Sequence, residues 1–313
     1  MKILITGGAG FIGANFCHYV YNDTDNFVVL DALTYASNLH YIDDLMSKSN
    51  FKFVKGNIAD AELVDQLFEE ENFDVVVNFA AESHVDNSVE NPQIFIDSNI
   101  TGVRVLLDAC RKHSVGKFHQ VSTDEVYGEL LDSDTQFYEN SPLKPNNPYS
   151  ITKATADMLV MSYHKIFGLH TTISRCSNNY GIYQHREKFI PKSIAHIMNK
   201  ENIQLHGDGK NIRDWVNVLD HCQGIVKIVE KGRSGEIYNI GSNNERTNLE
   251  VAELILKTMN DSDAKIEFVK NRKTNDKRYS INYDKITKEL GYSPLYNFDN
   301  SFEDMVAWYK QNV

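Results

Sequence analysis

Two short motifs in the middle of the chain combine residue types that can move protons. Thr123, Asp124 and Glu125 directly follow KFHQVS, an apolar stretch that is typical of a buried strand. Tyr149 and Lys153 stand four residues apart in YSITK, which puts them on the same face of a helix. A tyrosine beside an ammonium group can act as a base on a substrate hydroxyl. Two neighbouring carboxyls tend to split their pKa values, which supplies an acid and a base together. The pattern therefore predicts an enzyme that needs more proton transfer than a simple oxidation does.

A glycine-rich turn near the start of the chain predicts a dinucleotide site. The stretch ITGGAGFIG places Gly7, Gly10 and Gly13 between a strand and a helix. There the backbone can approach a pyrophosphate and the helix N-terminus can bind it. Asp31 ends the next apolar strand, where an acid binds ribose hydroxyls and repels a 2′-phosphate, and no Arg follows it. The sequence therefore favours NAD over NADP. The positive charges of a bound nicotinamide and of the Lys153 ammonium would both favour the phenolate form of Tyr149.

The elements that must position these residues follow from the alternation of apolar and amphipathic segments. Strand-like runs recur in the first half as KILIT, FVVL, FKFV, DVVVNFA, KFHQVS and TTISRCS. This rhythm predicts an α/β fold with a Rossmann-type, doubly wound parallel sheet, in which ligands bind beyond the carboxyl ends of the strands. Turn signals multiply after about residue 177, which predicts a smaller C-terminal substrate lobe. We expect an NAD-binding domain at 1–176 with a return segment at about 214–240, and a smaller substrate lobe at 177–213 and 241–313.

Composition excludes several other classes of function. The chain has 313 residues, a net charge of −11 and a pI of about 5.5, which argues against binding nucleic acid or an anionic membrane. No apolar run approaches the roughly 20 residues that cross a bilayer, and the N-terminal run is too short for a signal peptide. The cysteines form no CxxC pair and the histidines show no metal-binding spacing. We expect a cytoplasmic enzyme with reduced thiols and no metal.

Several segments together resemble the dTDP-glucose 4,6-dehydratase family of extended short-chain dehydrogenases/reductases. They are GGAGFIG, DALTYASN, NFAAESHVD, STDEVYG, YSITK, SNNYG, GDGKNIRDW and YNIGSNNERTN, and the resemblance runs from residue 1 to about 311. The Thr-Asp-Glu triplet is its most selective part. The resemblance implies NAD-dependent dehydration of a nucleoside-diphosphate-glucose, with oxidation at carbon 4, loss of water across carbons 5 and 6, and hydride return to carbon 6. It assigns the carbon 4 hydroxyl proton to Tyr149, the carbon 5 hydrogen to Glu125, and protonation of the departing 6-hydroxyl to Asp124.

The resemblance also implies contact residues and a subunit interface. The implied NAD contacts are Gly7, Gly10, Phe11, Ile12, Gly13, Asp31, Ala32, Leu33, Thr34, Asn57, Ile58, Phe79, Ala80, Ala81, Ser83, Tyr149, Lys153 and Asn179. The implied contacts to the nucleoside-diphosphate sugar are Ser83, Thr123, Asn178, Lys188, Phe189, Gln204, His206, Arg213, Asn248 and Arg272. Lys188 and Arg213 would hold the diphosphate on this acidic protein. The helices near 92–112 and 148–168 match those that pair subunits in the family, which implies a homodimer through a four-helix bundle.

Three alternatives stay open on the sequence. In the loop at 271–278, Lys273, Thr274 and Asn275 stand where the family has Pro, Gly and His, so the base of the nucleotide stays open: dTDP, UDP or another. An NAD-dependent sugar-nucleotide 4-epimerase would share Tyr149 and Lys153 without needing the two acids. A non-catalytic NAD-binding scaffold could use the same fold.

Overall fold

The computed structural model describes residues 1–131, 135–272 and 274–312. The strands are β1 (Lys2–Thr6), β2 (Asn26–Asp31), β3 (Phe51–Lys55), β4 (Val75–Asn78), β5 (Lys117–Thr123), β6 (Thr171–Cys176), β7 (Asn178–Tyr180), β8 (Ile203–His206), β9 (Ile212–Asn217), β10 (Glu236–Ile240), β11 (Glu245–Thr247), β12 (Ile266–Val269) and β13 (Arg278–Tyr279). The α-helices are α1 (Phe11–Val20), α2 (Asp43–Met46), α3 (Ala61–Glu71), α4 (Val85–Glu90), α5 (Pro92–Ile96), α6 (Val103–Lys112), α7 (Pro148–Phe167), α8 (Phe189–Met198), α9 (Val218–Lys231), α10 (Asn248–Met259), α11 (Asp284–Leu290) and α12 (Phe298–Asn312).

A seven-stranded parallel sheet forms the centre of the molecule, in the order β3-β2-β1-β4-β5-β6-β10. The chain winds outward from β1 through β2 and β3, then returns to β4 and winds outward on the other side. This doubly wound order confirms the predicted Rossmann-type fold. Its switch point lies between β1 and β4, where a crevice opens beyond the carboxyl ends of the strands.

Both faces of this sheet are covered, which explains why its strands are continuous apolar runs. Successive strand residues point to opposite sides: Leu4 packs into the core beneath α3, α6 and α7, whereas Ile5 packs into the core beneath α1 and α9. Every residue of β4 and β6 is buried. Polar groups of the central strands are therefore accessible to a ligand chiefly where the strands end.

The C-terminal part of the chain builds a second apolar core. Residues such as Ile194, Trp215, Val251 and Phe302 pack together between α8, α10 and α12. The short strands β7, β11 and β13 pair with β9, and β8 pairs with β12. The helix expected directly after the glycine turn is α1.

The predicted return segment reaches the main sheet through α9 and β10. Residues of α11 and Tyr292, which the predicted division assigns to the C-terminal lobe, also pack against the core on the α1 and α9 side of that sheet. The assignment of separate cofactor and substrate roles to the two parts stays a prediction. No helix in the described ranges is long and apolar enough to cross a membrane.

A capping arrangement fixes where α7 begins and so where its first turn lies. The side chain of Asn147 accepts a hydrogen bond from the Ser150 backbone nitrogen at 2.9 Å, and the Ser150 hydroxyl accepts one from the Asn147 nitrogen at 3.3 Å. Pro148 occupies the first helical position, where its missing N–H costs no hydrogen bond. Tyr149 therefore enters the helix at a fixed point beside the carboxyl end of β5.

Candidate active site

Close backbone contacts shape the glycine turn between β1 and α1. Gly7 has a φ of +69°, and a Cβ atom there would lie 2.6 Å from the backbone nitrogen of Ala80. A Cβ atom on Gly13 would lie 2.2 Å from the carbonyl oxygen of Gly7. Gly10 precedes α1 and offers no side chain to cap it. The first-turn N–H groups of α1 are therefore available to an anion.

The carboxylate of Asp31 is held in one orientation at the end of β2. It accepts hydrogen bonds from the backbone nitrogens of Ala9 at 3.0 Å and Leu33 at 2.8 Å, and from the Ser37 hydroxyl at 2.9 Å. A carboxylate has about four acceptor positions, so one remains for a ligand hydroxyl. The acid predicted to bind ribose is thus pre-oriented beside the glycine turn.

One cavity of about 510 Å³ runs from the glycine turn to the Asp124–Glu125 pair. The predicted cofactor residues that line it are Gly7, Gly10, Phe11, Ile12, Gly13, Asp31, Ala32, Thr34, Asn57, Ile58, Phe79, Ala80, Ala81, Ser83, Tyr149, Lys153 and Asn179. Leu33 is not among the lining residues; its backbone is left-handed, with a φ of +52°, and its side chain packs against the core. All five predicted catalytic residues, Thr123, Asp124, Glu125, Tyr149 and Lys153, line the same cavity.

Burial is the largest influence on the pKa values of the tyrosine and the lysine. Tyr149 is buried, and burial raises its pKa well above the usual range, with the charge of Glu125 as the next contribution. A hydrogen bond with Thr123 acts in the opposite direction. The Lys153 ammonium donates to the carbonyl oxygen of Val121 at 2.7 Å, while burial lowers its pKa. The expectation that a bound nicotinamide and Lys153 together favour the phenolate stays a prediction.

The two acids at the end of β5 differ in their surroundings. Asp124 is buried, and its Oδ2 has no hydrogen-bond partner among the described residues. Burial, followed by the charge of Glu125, raises the pKa of Asp124 well above its usual range. Burial also raises the pKa of Glu125, but the charges of Lys188 and Arg213 partly offset that rise. The pair is thus arranged so that Asp124 is the more readily protonated member.

The two side chains predicted to bind the diphosphate, Lys188 and Arg213, are oriented by hydrogen bonds to backbone carbonyls. Lys188 lines the cavity and donates from its ammonium to the Ser83 carbonyl at 2.9 Å. Arg213 donates to the carbonyls of Ile212 and Asp276, both at 2.8 Å, and its guanidinium carbon lies 4.6 Å from the centroid of the Tyr279 ring. These contacts use only part of the guanidinium's five donors, which leaves N–H groups for an anion.

The remaining predicted substrate residues divide into two groups. Ser83, Thr123 and Asn178 line the cavity with Lys188, whereas Phe189, Gln204, His206, Arg213, Asn248 and Arg272 do not. Phe189 packs partly buried at the start of α8, and Gln204 is exposed on β8. The latter group belongs to the C-terminal part, where Arg272 forms a 3.5 Å ion pair with Asp86. Lys273, part of the altered loop, lies outside the described residues.

Some residues of the site could not be found from sequence motifs. Asn99 is buried, exchanges hydrogen bonds with the backbone of Glu82 at 2.8 and 3.0 Å, and donates to the Thr152 hydroxyl at 3.0 Å. It thereby ties the loop after β4 to α7. Its only sequence signal is an amide within an otherwise apolar helix face. Cys176 and Glu187 also line the cavity without belonging to a motif. No group of three or more His, Cys, Asp or Glu side chains within the described ranges is placed to hold a metal.

The doubly wound sheet, the glycine turn and the Tyr–Lys pair at the strand ends are the arrangement of an extended short-chain dehydrogenase/reductase. Residues 4–305 match the family model described as GDP-mannose 4,6 dehydratase. The low-salt glycan biosynthesis protein Agl12 of Haloferax volcanii is 46% identical over 99% of this chain and 98% of its own length. A dTDP-glucose 4,6-dehydratase of Mycobacterium tuberculosis is 44% identical over 100% of this chain and 94% of its own.

A solved structure agrees with these sequence matches. The dTDP-glucose 4,6-dehydratase DesIV of Streptomyces venezuelae, crystallised with NAD bound, superposes with a TM-score of 0.95 at 40% identity and covers 100% of this chain and 98% of its own. The chain belongs to the dTDP-glucose 4,6-dehydratase family. Both the predicted family and the prediction of an enzyme are thereby confirmed.

The burial of Asp124 generates a prediction about stability and pH. Because its folded-state pKa is raised, the folded protein holds this proton to higher pH than the unfolded chain, and stability falls as pH rises above about 4. Asp124→Asn removes that fall. We expect the variant to melt above the wild type at alkaline pH, by about 1–2 °C per kcal/mol gained.

Calorimetric melting curves across pH measure this effect. The exposed Asp304→Asn substitution on α12 is the matched control, and it should follow the wild type at every pH. An Asp124→Asn protein that loses stability equally at all pH values would contradict the raised pKa.

Proposed function

We propose that this chain catalyses the NAD-dependent dehydration of a nucleoside-diphosphate-glucose, dTDP-glucose first, to the 4-keto-6-deoxy sugar nucleotide. The observation that carries the proposal is that Asp124 and Glu125 line the same cavity as Tyr149 and Lys153. Oxidation alone needs only the second pair, whereas elimination needs an acid and a base as well. The names of the relatives support the same reaction.

The residues present fit NAD as the cofactor. The uncapped first turn of α1 suits the pyrophosphate, and the fixed carboxylate of Asp31 suits the ribose hydroxyls. Tyr149, Lys153 and Asn179 line the continuation of the cavity toward the acids. When bound there, NAD would supply the chemistry of removing a hydride from carbon 4 and returning one to carbon 6.

The proton of the carbon 4 hydroxyl goes to Tyr149. In the protein alone this group is a phenol with a raised pKa, so a positive charge beside it must favour proton acceptance. The Lys153 ammonium contributes, anchored on the Val121 carbonyl at 2.7 Å. Thr123, which forms a hydrogen bond with Tyr149, orients the same hydroxyl.

Glu125 and Asp124 then carry out the elimination. A ketone at carbon 4 acidifies the hydrogen at carbon 5, which Glu125 removes as carboxylate. Asp124, whose pKa burial raises well above its usual range, gives its proton to the departing 6-hydroxyl, which leaves as water. When the hydride returns to carbon 6, carbon 5 takes up a proton, for which protonated Glu125 is the donor. Lys188 and Arg213 favour the ionised form of Glu125, so their charges help to keep base and acid distinct.

The structure constrains the base of the nucleotide less than it constrains the reaction at the sugar. In the altered loop, Asn275 donates to the side-chain oxygens of Asn211 at 3.2 Å and Asn271 at 2.7 Å. These bonds organise the loop without the Pro and Gly of the family pattern. The relatives' names favour dTDP. A substrate panel of dTDP-glucose and UDP-glucose, with products identified by mass, distinguishes the two.

An NAD-dependent 4-epimerase is the second candidate, because it would use the same cofactor site and the same tyrosine. It would not need a buried, protonated Asp124 next to Glu125. Incorporation of solvent hydrogen at carbon 5 separates the two reactions, since epimerisation at carbon 4 leaves carbon 5 untouched. A non-catalytic scaffold would produce neither change.

The proposal includes a homodimer formed through α6 and α7. These helices pack side by side, and Tyr163 on α7 donates to Asp108 on α6 at 2.5 Å. Ile151, Met158 and Ile166 lie exposed along α7, with 48%, 58% and 68% of their surface accessible. Such a stripe is typical of a helix face that a second copy covers, giving four helices in all. The described cysteines are unpaired and buried, which suits the expected cytoplasmic setting.

The Glu125→Gln variant tests the elimination step. Glutamine keeps the shape of the side chain but cannot accept the carbon 5 proton, so we expect dehydratase turnover to fall by about 10²–10⁴-fold. Some NADH should still form when substrate is added, because Tyr149 and Lys153 remain. Formation of the 4-keto product and the absorbance of NADH measure the two stages. The exposed Glu62→Gln change on α3 is the control; equal turnover in both variants would remove Glu125 from this role.

The Arg213→Ala variant tests the diphosphate contact. A lost charged hydrogen bond is worth about 1.5–3 kcal/mol, so the dissociation constant of the sugar nucleotide should rise by roughly 10–150-fold. The dissociation constant of NAD should change little. Titration calorimetry on the variant and on Arg233→Ala, an exposed arginine after α9, provides both values. A comparable loss of affinity for both ligands would contradict the assignment.

The Met158→Arg variant tests the dimer. A charge in the middle of the α7 stripe should dissociate the pair because an unpaired buried charge is costly. Sedimentation equilibrium should therefore give half the wild-type mass. Leu295→Arg is the control, since Leu295 is 72% exposed away from this stripe. A monomeric wild type would refute the interface.

A further inference from the structure

A buried ion pair lies directly behind the catalytic lysine. Asp157 follows Lys153 by one turn of α7 and is 1% exposed, and Arg175 on β6 is 3% exposed. The Arg175 Nε donates to the Asp157 Oδ2 at 2.9 Å. The other carboxylate oxygen, Oδ1, has no hydrogen-bond partner in the part of the chain that the structure describes. The negative charge of Asp157 opposes the effect of burial on the Lys153 ammonium.

The same arginine reaches the turn that carries the two acids. Its guanidinium carbon lies 4.8 Å from the centroid of the Tyr127 ring. Tyr127 is the last residue of the 3₁₀ turn Asp124–Tyr127, so one four-residue turn carries Asp124, Glu125 and Tyr127. Its hydroxyl donates to the Asn239 Oδ1 at 2.7 Å, and its ring stacks on Phe137 with centroids 5.1 Å apart.

The register of the sheet explains how one side chain can serve both elements. Arg175 pairs with Ser122 of β5 on one side and with Asn239 of β10 on the other. Residues in register point to the same face of the sheet. Arg175 therefore lies on the face of Ser122, close to where the acid turn begins, and beside α7, which packs on β5 and β6. Arg175 is thus a neighbour of both catalytic elements, which also pack directly on each other through Tyr127 and Ala154.

Stability alone does not account for this arrangement. A buried ion pair is often no more stabilising than apolar side chains of similar volume, because both charges lose their hydration. A planar guanidinium, however, can hold a carboxylate and an aromatic ring in fixed directions at the same time. That property matters where two sets of reacting groups must keep a constant separation.

We propose that Asp157, Arg175 and Tyr127 are positioning residues that hold the Tyr149–Lys153 helix and the Asp124–Glu125 turn in a fixed relation. Asp157 positions Lys153 on α7, and Tyr127 positions the turn that carries Asp124 and Glu125. Arg175 contacts both Asp157 and Tyr127 and so joins the two elements. This inference rests on the proposed function for its kinetic consequences, but the physical link can be measured without turnover.

The kinetic test compares Tyr127→Leu with Tyr238→Leu. Tyr238 is also buried and also has a cation over its ring, the Lys285 ammonium at 4.6 Å, but it lies on β10 away from the cavity lining. A displacement of about 1 Å at reacting groups can cost about 10²-fold. We therefore expect Tyr127→Leu to lower kcat by roughly 10–100-fold with little change in KM, and NADH to accumulate before product. Equal kcat in the two folded variants would overturn the proposal.

Two arginine variants separate positioning from simple packing. Arg175→Lys keeps a charge beside Asp157, whereas Arg175→Met leaves the carboxylate unpaired. The proposal expects the lysine variant to recover part of the kcat lost in the methionine variant while KM stays near the wild-type value. A lysine variant no better than the methionine variant would show that charge pairing with Asp157 does not position the site.

A double-mutant cycle tests the link without any activity. Asp157→Asn, Tyr127→Leu and the combined variant are compared by thermal unfolding of the full chain. If Arg175 joins the two residues, the combined shift in Tm is smaller than the sum of the single shifts, whereas independent sites add. Additive shifts would refute the link even for an enzyme with a different substrate. A wild type that dehydrates neither dTDP-glucose nor UDP-glucose would refute the proposed function and leave this cycle to decide the link.

Discussion

The position of β5 in the sheet constrains everything that the active site can do. This strand lies between β4 and β6, and both faces of the sheet are covered by helices. Along its length it can carry polar side chains only if they find partners inside, as His119 does with the hydroxyls of Thr172 and Ser174 at 2.9 and 3.0 Å. At its carboxyl end the constraint is lifted, and there Thr123 begins the acid turn. The groups that react are thus where the packing of the fold first permits them.

Desolvation is the common cause of the site's electrostatics. It raises the pKa values of Asp124, Glu125 and Tyr149 and lowers that of Lys153, so every reacting group is displaced toward its neutral form. Neutral forms suit a proton donor but not a proton acceptor. The charges of Lys188 and Arg213 act against this tendency at Glu125, and the charge of Asp157 does so at Lys153. A site of this kind is balanced between burial, which makes electrostatic interactions strong, and specific charges, which decide the direction of each proton transfer.

The sequence predicts the main sheet well because burial on both faces produces continuous apolar runs that need no knowledge of distant residues. It predicts the glycine turn, Asp31 and the Tyr–Lys pair because each is a local pattern with a mechanical reason. It cannot predict β11 or β13, which are three and two residues long and exist only by pairing with β9. The family resemblance, and no local pattern, places Leu33 among the cofactor residues; its backbone is left-handed and its side chain packs against the core.

The link between the two parts of the molecule is equally beyond local patterns. The altered loop and the strand after it bond directly to the segment that follows the acid turn. The Leu130 nitrogen donates to the Arg278 carbonyl at 3.1 Å, Glu129 accepts from the Lys277 nitrogen, and Asn146 donates to Asp276 at 2.5 Å. Asp276 also supplies a carbonyl to Arg213. These hydrogen bonds connect the altered loop to the backbone segment that follows the Asp124–Tyr127 turn. Under the proposed function, the loop assigned to the nucleotide and the turn assigned to proton transfer would share one set of contacts, so a change in either would constrain the other.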